Sequence, residues 1–132
     1  MRWIVSLAAL LALTPIASSA AAQDAPHQRQ ARQVLERLIT YRTSAGHGQV
    51  PRMASYIAET LPAGGVPAED IVTLPQGETV AMLVRVPGRD AAARPLLFSA
   101  HMDVVDARPE DWERDPFRLT EDNGYLFGRG VH

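Results

Sequence analysis

Apolar residues recur at helical spacing in two segments of the chain. The second of these segments covers about residues 51–61 and is predicted to form a helix that ends at the run Pro62-Ala63-Gly64-Gly65. Neither stripe carries groups that suggest chemistry, so we expect both helices to face a core. The first helix is predicted over about residues 28–42, with its apolar positions at Ala31, Val34, Leu35, Leu38 and Ile39.

Strand patterns replace the helical spacing after residue 70. Residues 71–74 and 79–86 flank a turn at Pro75-Gln76-Gly77 and should form a hairpin. A third strand is expected within residues 95–103, because Leu96-Leu97-Phe98 is an apolar run without polar alternation, which is typical of a strand buried on both faces. Two helices followed by three strands fit a layered α/β domain better than a helix bundle or a β-sandwich.

The third predicted strand ends on His101, and Asp103 follows two positions later. Ligands bind at the carboxyl ends of strands in open α/β sheets, and side chains two apart on extended backbone point the same way. A carboxylate beside an imidazole fixes its tautomer, aims the ring and raises its basicity toward a metal. His101 is therefore the candidate metal ligand and Asp103 its orienting carboxylate. The alternative for this stretch is a hydrogen-bonded structural histidine.

The first residues have the pattern of an export signal. Arg2 precedes an apolar core over residues 3–13, and Ala20-Ala21-Ala22 is a small-residue cleavage site. We expect a signal peptide at residues 1–22 and an exported protein, periplasmic or extracellular. Stable membrane insertion is not expected, because the apolar run is shorter than the roughly 20 residues that span a bilayer.

The cysteine content and the charge distribution exclude several classes of protein and of partner. The chain has no cysteine, which excludes a disulfide framework and a lipid-anchored lipoprotein. Its 13 basic residues are all arginine, scattered among 15 acids, so neither a nucleic-acid partner nor a basic membrane-binding helix is expected.

Features after Asp103 add a second set of signals. A polar loop contains Trp112 and Asp115-Pro116-Phe117, and its acids are most simply solvated. Asn123-Gly124 supplies the positive φ values of a tight hairpin turn, and Gly128-Arg129-Gly130 follows. His47, between glycines in a polar loop, and His132 are weaker ligand candidates, because nothing in the sequence sets their distance to His101.

The order of His101-x-Asp103, Trp112, Asp115-Pro116-Phe117 and Gly128-Arg129-Gly130 closely resembles the amino-terminal part of the co-catalytic zinc metallopeptidase and deacylase family. Its members include acetylornithine deacetylase, succinyl-diaminopimelate desuccinylase, aminoacylase, glutamate carboxypeptidase and several dipeptidases. The resemblance implies a three-layer α/β/α zinc-peptidase catalytic domain with a mixed sheet. It also implies two zinc ions, replaceable by cobalt or manganese, with His101 as ligand of one and Asp103 as the active-site residue that orients it.

The resemblance further implies that residues 23–132 are the amino-terminal part of a truncated catalytic domain. In the family pattern, two variable residues separate Gly-Arg-Gly from the aspartate that bridges both zinc ions, and here those places are Val131 and His132. The water-activating glutamate, the other ligands and the lid and dimerisation domain are likewise expected to be absent. The chain alone should therefore be inactive.

For the parent protein, the resemblance implies a secreted exopeptidase, carboxypeptidase-like or dipeptidase-like, or an amide deacylase. A metal-bound hydroxide would hydrolyse a peptide or an N-acyl amino acid, with a downstream glutamate as general base, in a protein expected to be a homodimer. Two alternatives are a complete, non-catalytic exported module that binds a peptide or a single metal, and a related two-zinc aminopeptidase. The Trp112, Asp-Pro-Phe and Gly-Arg-Gly elements argue against the aminopeptidase.

Overall fold

The structure, a computed structural model, describes residues 25–131. The predicted signal peptide and His132 lie outside the described residues. Helix α1 spans Pro26–Ile39, and its start is supported by the Ala25 amide, which donates to Gln28 Oε1 at 2.7 Å. The helix ends three residues before the predicted limit, because the amide and hydroxyl of Thr40 both bond to the Arg37 carbonyl. The first predicted helix is confirmed.

Helix α2 spans Val50–Thr60 and has proline in its first turn, as predicted. Short 3₁₀ turns at Leu61–Gly64 and Ala68–Asp70 then lead into the strands. Val50 and Ala54 of α2 are buried against Val80, and Met82 and Met102 pack around them. This small apolar cluster is the core that joins α2 to the following hairpin.

The hairpin consists of β1, Ile71–Gln76, and β2, Thr79–Val84, paired antiparallel. The hairpin was predicted, but β1 is two residues longer than expected and the turn falls at Gly77-Glu78, where Gly77 has a φ of 59°. Its open end is closed by Asp70, which is buried and accepts a hydrogen bond from Arg85 Nε at 2.7 Å.

The predicted third strand is wrong for the described part of the chain. Residues 95–100 are irregular, and Leu96, Leu97 and Phe98 are 85%, 85% and 90% exposed. A strand needs a partner for its backbone N–H and C=O groups, and burial on both faces needs a layer on each side. Within residues 25–131 no strand pairs with this segment.

A second small hairpin lies near the end of the described chain. Its strands are β3, Thr120–Asp122, and β4, Tyr125–Phe127, joined by Asn123 and Gly124 with φ values of 51° and 81°, as the sequence predicts. Arg32 of α1 forms an ion pair with Glu121 of β3. The α/β class is thus confirmed. The sheets among residues 25–131 are two antiparallel pairs, without the mixed sheet or the three layers that the resemblance implies.

Candidate metal centre

His101 and Asp103 lie side by side on the surface, with side chains 78% and 70% exposed. His101 Nδ1 is 2.6 Å from the backbone carbonyl oxygen of Asp103 and 3.5 Å from its Oδ1. A carbonyl oxygen can only accept, so the proton of the neutral ring sits on Nδ1. Nε2 then carries the lone pair, which is the form of imidazole that binds a metal.

The backbone of this segment is anchored through the intervening residues. Met102 packs against the core cluster, and Val104 lies against Gly130, where an added Cβ would come within 3.1 Å of Val104 Cγ1. Met102 and Val104 are half-buried, whereas His101, Asp103 and Val105 are exposed. The alternation places both predicted site residues on the same, solvent-facing side. Their metal and catalytic roles stay predictions.

Zinc in a hydrolase site takes three protein ligands and keeps a position open. The imidazole of His101, with Nε2 unpartnered within residues 25–131, fits one of those ligands. No group of three or more histidine, cysteine or acidic side chains in the described part of the chain could hold a metal ion. The described residues therefore fit the role of one protein ligand of a zinc site and do not supply a complete set of ligands.

His47 does not lie beside His101 as a ligand; it contacts Asp106, with 3.4 Å between Nε2 and Oδ2. Asp106 also accepts two short bonds from Arg42, Nε to Oδ1 at 2.7 Å and a terminal nitrogen to Oδ2 at 2.6 Å. Ser44 donates to Oδ1 at 2.9 Å. The bonds from Arg42 above all, with further bonds from Ser44, the Ala107 amide and His47, hold the pKa of Asp106 well below its usual range.

Arg129 is the second cation of this region and is buried. Its guanidinium donates to the carbonyl oxygens of Val105 at 2.7 Å and Tyr41 at 3.2 Å. Both guanidiniums lie over the ring of Phe117, with the Arg129 group 5.1 Å and the Arg42 group 5.4 Å from the ring centroid. Burial lowers the pKa of Arg129. The pKa of an arginine side chain lies so far above neutral pH that Arg129 still stays charged.

These contacts form one network, which we call the clamp: Arg42, Ser44, Asp106, Phe117 and Arg129. Sequence reasoning missed Arg42 and Asp106, because an arginine and an aspartate 64 positions apart carry no local signal that they meet. Arg129 had a partial signal in its two flanking glycines, which permit close backbone approach.

Two acids of the loop at residues 110–115 accept hydrogen bonds from neighbouring residues. Asp111 accepts a bond from Arg108 at 2.8 Å, and Asp115 accepts one from the Phe117 amide at 2.9 Å. A shallow cleft of about 410 Å³ separates this loop from residues 126–128 and 131. Trp112 lines the cleft and is 41% exposed.

The sequence model of peptidase family M20/M25/M40 matches residues 97–132, which include His101, Asp103 and Gly128-Arg129-Gly130. This part of the chain is similar to the corresponding part of that family, and we call residues 97–132 the M20-like segment. The predicted resemblance to the zinc metallopeptidases and deacylases is thereby confirmed.

Matches to individual proteins extend the similarity toward the amino terminus. Acetylornithine deacetylase of Arabidopsis thaliana is 36% identical over 98 residues, which cover 74% of this chain and 18% of that protein. N-fatty-acyl-amino acid synthase/hydrolase PM20D1 of Mus musculus is 43% identical over 62 residues, 45% of this chain and 12% of that protein. Succinyl-diaminopimelate desuccinylase of Bordetella petrii is 40% identical over 60 residues, which cover 45% of this chain and 15% of that protein.

The chain therefore spans less than a fifth of the length of each of these relatives. By resemblance to them it is related to the zinc-dependent metallopeptidases and amidohydrolases. No solved structure gives a significant match. Among residues 25–131, no helix is long and apolar enough to cross a membrane.

Proposed function

We propose that the protein carrying this chain is an exported, zinc-dependent hydrolase of amide bonds. One observation carries the proposal: within the M20-like segment, His101 is held through Nδ1 by Asp103, and Nε2 has no partner among the described residues. An exposed imidazole in this tautomer is suited to a metal ion. Export is proposed on the leader pattern of residues 1–22.

In this proposal, His101 is a ligand of one of two zinc ions, and Asp103 is the positioning residue that fixes its ring. Cobalt or manganese could take the place of zinc, since imidazole suits several divalent metals. Zinc, when bound, would polarise the amide carbonyl and activate water for attack on it. Asp103 would hold the proton on Nδ1 throughout, so that Nε2 remains available as a ligand. The general base in this proposal is the downstream glutamate that the family resemblance implies.

Two substrate classes follow from different observations. The relatives named as a desuccinylase, a deacetylase and an acyl-amino acid hydrolase favour an N-acyl amino acid as substrate. The export signal favours peptides, as for a carboxypeptidase or dipeptidase that recovers amino acids outside the cytoplasm. Both classes present an amide bond beside a free carboxylate or amine, and both are included in the test. A homodimer is proposed on the family resemblance alone, and light scattering of the purified protein tests it.

The test uses the full-length protein, purified from its exported fraction, with N-acetyl, N-succinyl and N-oleoyl amino acids and a set of dipeptides. Release of the free amino acid is measured before and after removal of metal by a chelator, and again after zinc is returned. We expect one substrate class to be hydrolysed, activity to disappear with the metal and zinc to restore it. His101→Ala should lower the bound zinc and abolish hydrolysis, whereas His27→Ala, at an exposed histidine of α1, should leave zinc content and hydrolysis unchanged.

Hydrolysis that survives complete metal removal would refute the metal assignment. Zinc bound at His101 without hydrolysis of any of these amides would favour the non-catalytic metal-binding module instead. Equal zinc content in wild type and His101→Ala would show that His101 is not a ligand.

A further inference from the structure

We propose that the pair Arg42–Asp106 is a positioning device for the segment His101–Asp103, a role that rests on the proposed metal function of His101. Asp106 lies three residues after Asp103, on the same stretch of irregular backbone. In the described part of the chain, neither Arg42 nor Asp106 forms a hydrogen bond or ion pair with His101, so any influence on the imidazole passes through residues 103–105.

The path from Asp106 to the imidazole is short and continuous. His101 Nδ1 bonds to the Asp103 carbonyl at 2.6 Å, so the orientation of that peptide group sets the ring. The next two residues are held by Gly130, which accommodates Val104, and by Arg129, which bonds the Val105 carbonyl at 2.7 Å. Asp106 then ends the path in two bonds from Arg42 and one from Ser44.

This anchoring is needed because the segment has little support of its own. The residues before His101 are exposed and irregular, from Pro95 to Ala100, and His101 and Asp103 are themselves exposed. Within residues 101–107, Met102 and Val104 supply the apolar contacts of the site segment. The clamp is the polar anchor on its carboxyl side, and it joins the site segment to the loop after α1.

The chemistry of the pair suits positioning. A bidentate bond between a guanidinium and a carboxylate fixes both distance and orientation, whereas a single charge contact fixes distance only. Ser44 donates a third bond to the Asp106 carboxylate, at Oδ1, and so adds to the restraint from Arg42. An asparagine at position 106 has the same shape but only one acceptor oxygen, so it cannot keep both bonds from Arg42. The test therefore changes the geometry of the anchor and leaves its volume intact.

The same network admits a simpler role, in which the pair stabilises the fold and does nothing for His101. Thermal stability alone cannot separate the two roles. The separating readout is the state of the site segment in the metal-free protein: the ring signal of ¹³C-labelled His101 and the methyl signal of ¹³C-labelled Met102. Zinc affinity, measured by competition with a chromophoric chelator, and the division of kinetic effects between kcat and KM are the second readouts.

We compare Asp106→Asn and Arg42→Lys with Asp111→Asn as the matched control in the full-length protein. Like Asp106, Asp111 accepts a hydrogen bond from an arginine, in this case Arg108 three residues earlier. Asp111 lies outside the clamp. We expect Asp106→Asn and Arg42→Lys to move the His101 and Met102 signals, to weaken zinc binding by about 10-fold or more, and to lower kcat with little change in KM. Asp106→Glu, which keeps the carboxylate, should recover part of the zinc affinity. The control should resemble wild type.

Unchanged His101 and Met102 signals in both clamp variants would overturn the proposal, even if their melting temperatures fall. So would wild-type zinc affinity in Asp106→Asn. If wild type itself binds no zinc and hydrolyses no amide, the proposed function fails. In that case, moved signals in the metal-free variants still support a positioning role for Asp106, and unmoved signals still exclude it.

Discussion

The imidazole of His101 is held by the backbone carbonyl of Asp103, at 2.6 Å from Nδ1, while the nearer carboxylate oxygen of Asp103 is 3.5 Å away. The proton on Nδ1 is therefore assigned by a main-chain group that no side-chain substitution removes. The carboxylate adds charge beside the ring and a second acceptor within reach. The backbone of Asp103 thus sets the tautomer of His101, and the carboxylate of Asp103 supplies the negative charge beside the ring.

Asp103→Ala should keep the fold and weaken the site. The side chain is mostly exposed, so its removal should change the melting temperature of the metal-free protein little. The carbonyl bond to Nδ1 remains, but the adjacent negative charge is lost, and zinc affinity or turnover should fall by roughly 10-fold to 100-fold.

Chelator competition and kinetics on the full-length protein measure both effects, with Asp90→Ala as the control. Asp90 is an exposed aspartate in the loop after β2, where its carboxylate caps the Ala92 amide. Full activity and wild-type zinc content in Asp103→Ala would contradict the assignment of Asp103.

The clamp should make stability depend on acidity. Arg42 and the other donors lower the folded-state pKa of Asp106, whereas the unfolded value is about 4. The carboxylate therefore stabilises the fold fully above about pH 4, and this stabilisation is lost as the pH falls further and Asp106 becomes protonated.

Melting temperatures of wild type and Asp106→Asn between pH 7 and pH 3 test this point. The difference between the two should be largest near neutral pH and shrink toward pH 3. A difference that stays constant over this range would show that the charge of Asp106 does not stabilise the fold.

The buried arginine should not tolerate lysine. Arg129 bonds two carbonyl oxygens and stacks on Phe117, which a single ammonium group cannot do together. Arg129→Lys should cost about 2 kcal/mol of unfolding free energy, the usual scale for lost bonds to a charged group.

Denaturant unfolding measures the loss, and Arg118→Lys is the control, because Arg118 is exposed. Equal midpoints for the two variants would show that the bonds of Arg129 contribute nothing to stability.

The core beneath α2 should resist enlargement. Ala54 is 1% exposed and packs against Val50 and Val80, so Ala54→Leu should destabilise the fold by about 1–3 kcal/mol. Ala81, next to Val80 on β2, is exposed, and Ala81→Leu should change stability by less than about 0.5 kcal/mol. Thermal or denaturant unfolding compares the two, and a tolerated Ala54→Leu would mean that the cluster is loosely packed.

The proposed export signal should be cleaved when the protein is secreted. Expressed with its leader in a Gram-negative host, the protein should be recovered outside the cytoplasm with Gln23 as its first residue. Amino-terminal sequencing measures this. Retention of Met1 in the cytoplasmic fraction would contradict the export proposal, and replacement of Ala20 and Ala22 by large residues should block processing.

Local patterns in the sequence were sufficient for the elements whose cause is local. The two helices follow from apolar spacing and prolines, and the turn at Asn123-Gly124 follows from the φ values those residues accept. The pairing of His101 with Asp103 also follows from local spacing, since residues two apart on extended backbone share a side. The family resemblance rested on the same kind of short-range order and was confirmed.

Tertiary structure decided everything that depends on distant partners. The apolar run at Leu96-Leu97-Phe98 matches a buried strand in composition, yet it is exposed in the described chain, because burial and pairing are supplied by other segments and not by the run itself. The bonds of Arg42 with Asp106 and of Arg129 with Tyr41 and Val105 join residues far apart in sequence. Electrostatic pairing depends on distances that only the folded chain sets, and for that reason the sequence identified the imidazole while the fold revealed what holds it in place.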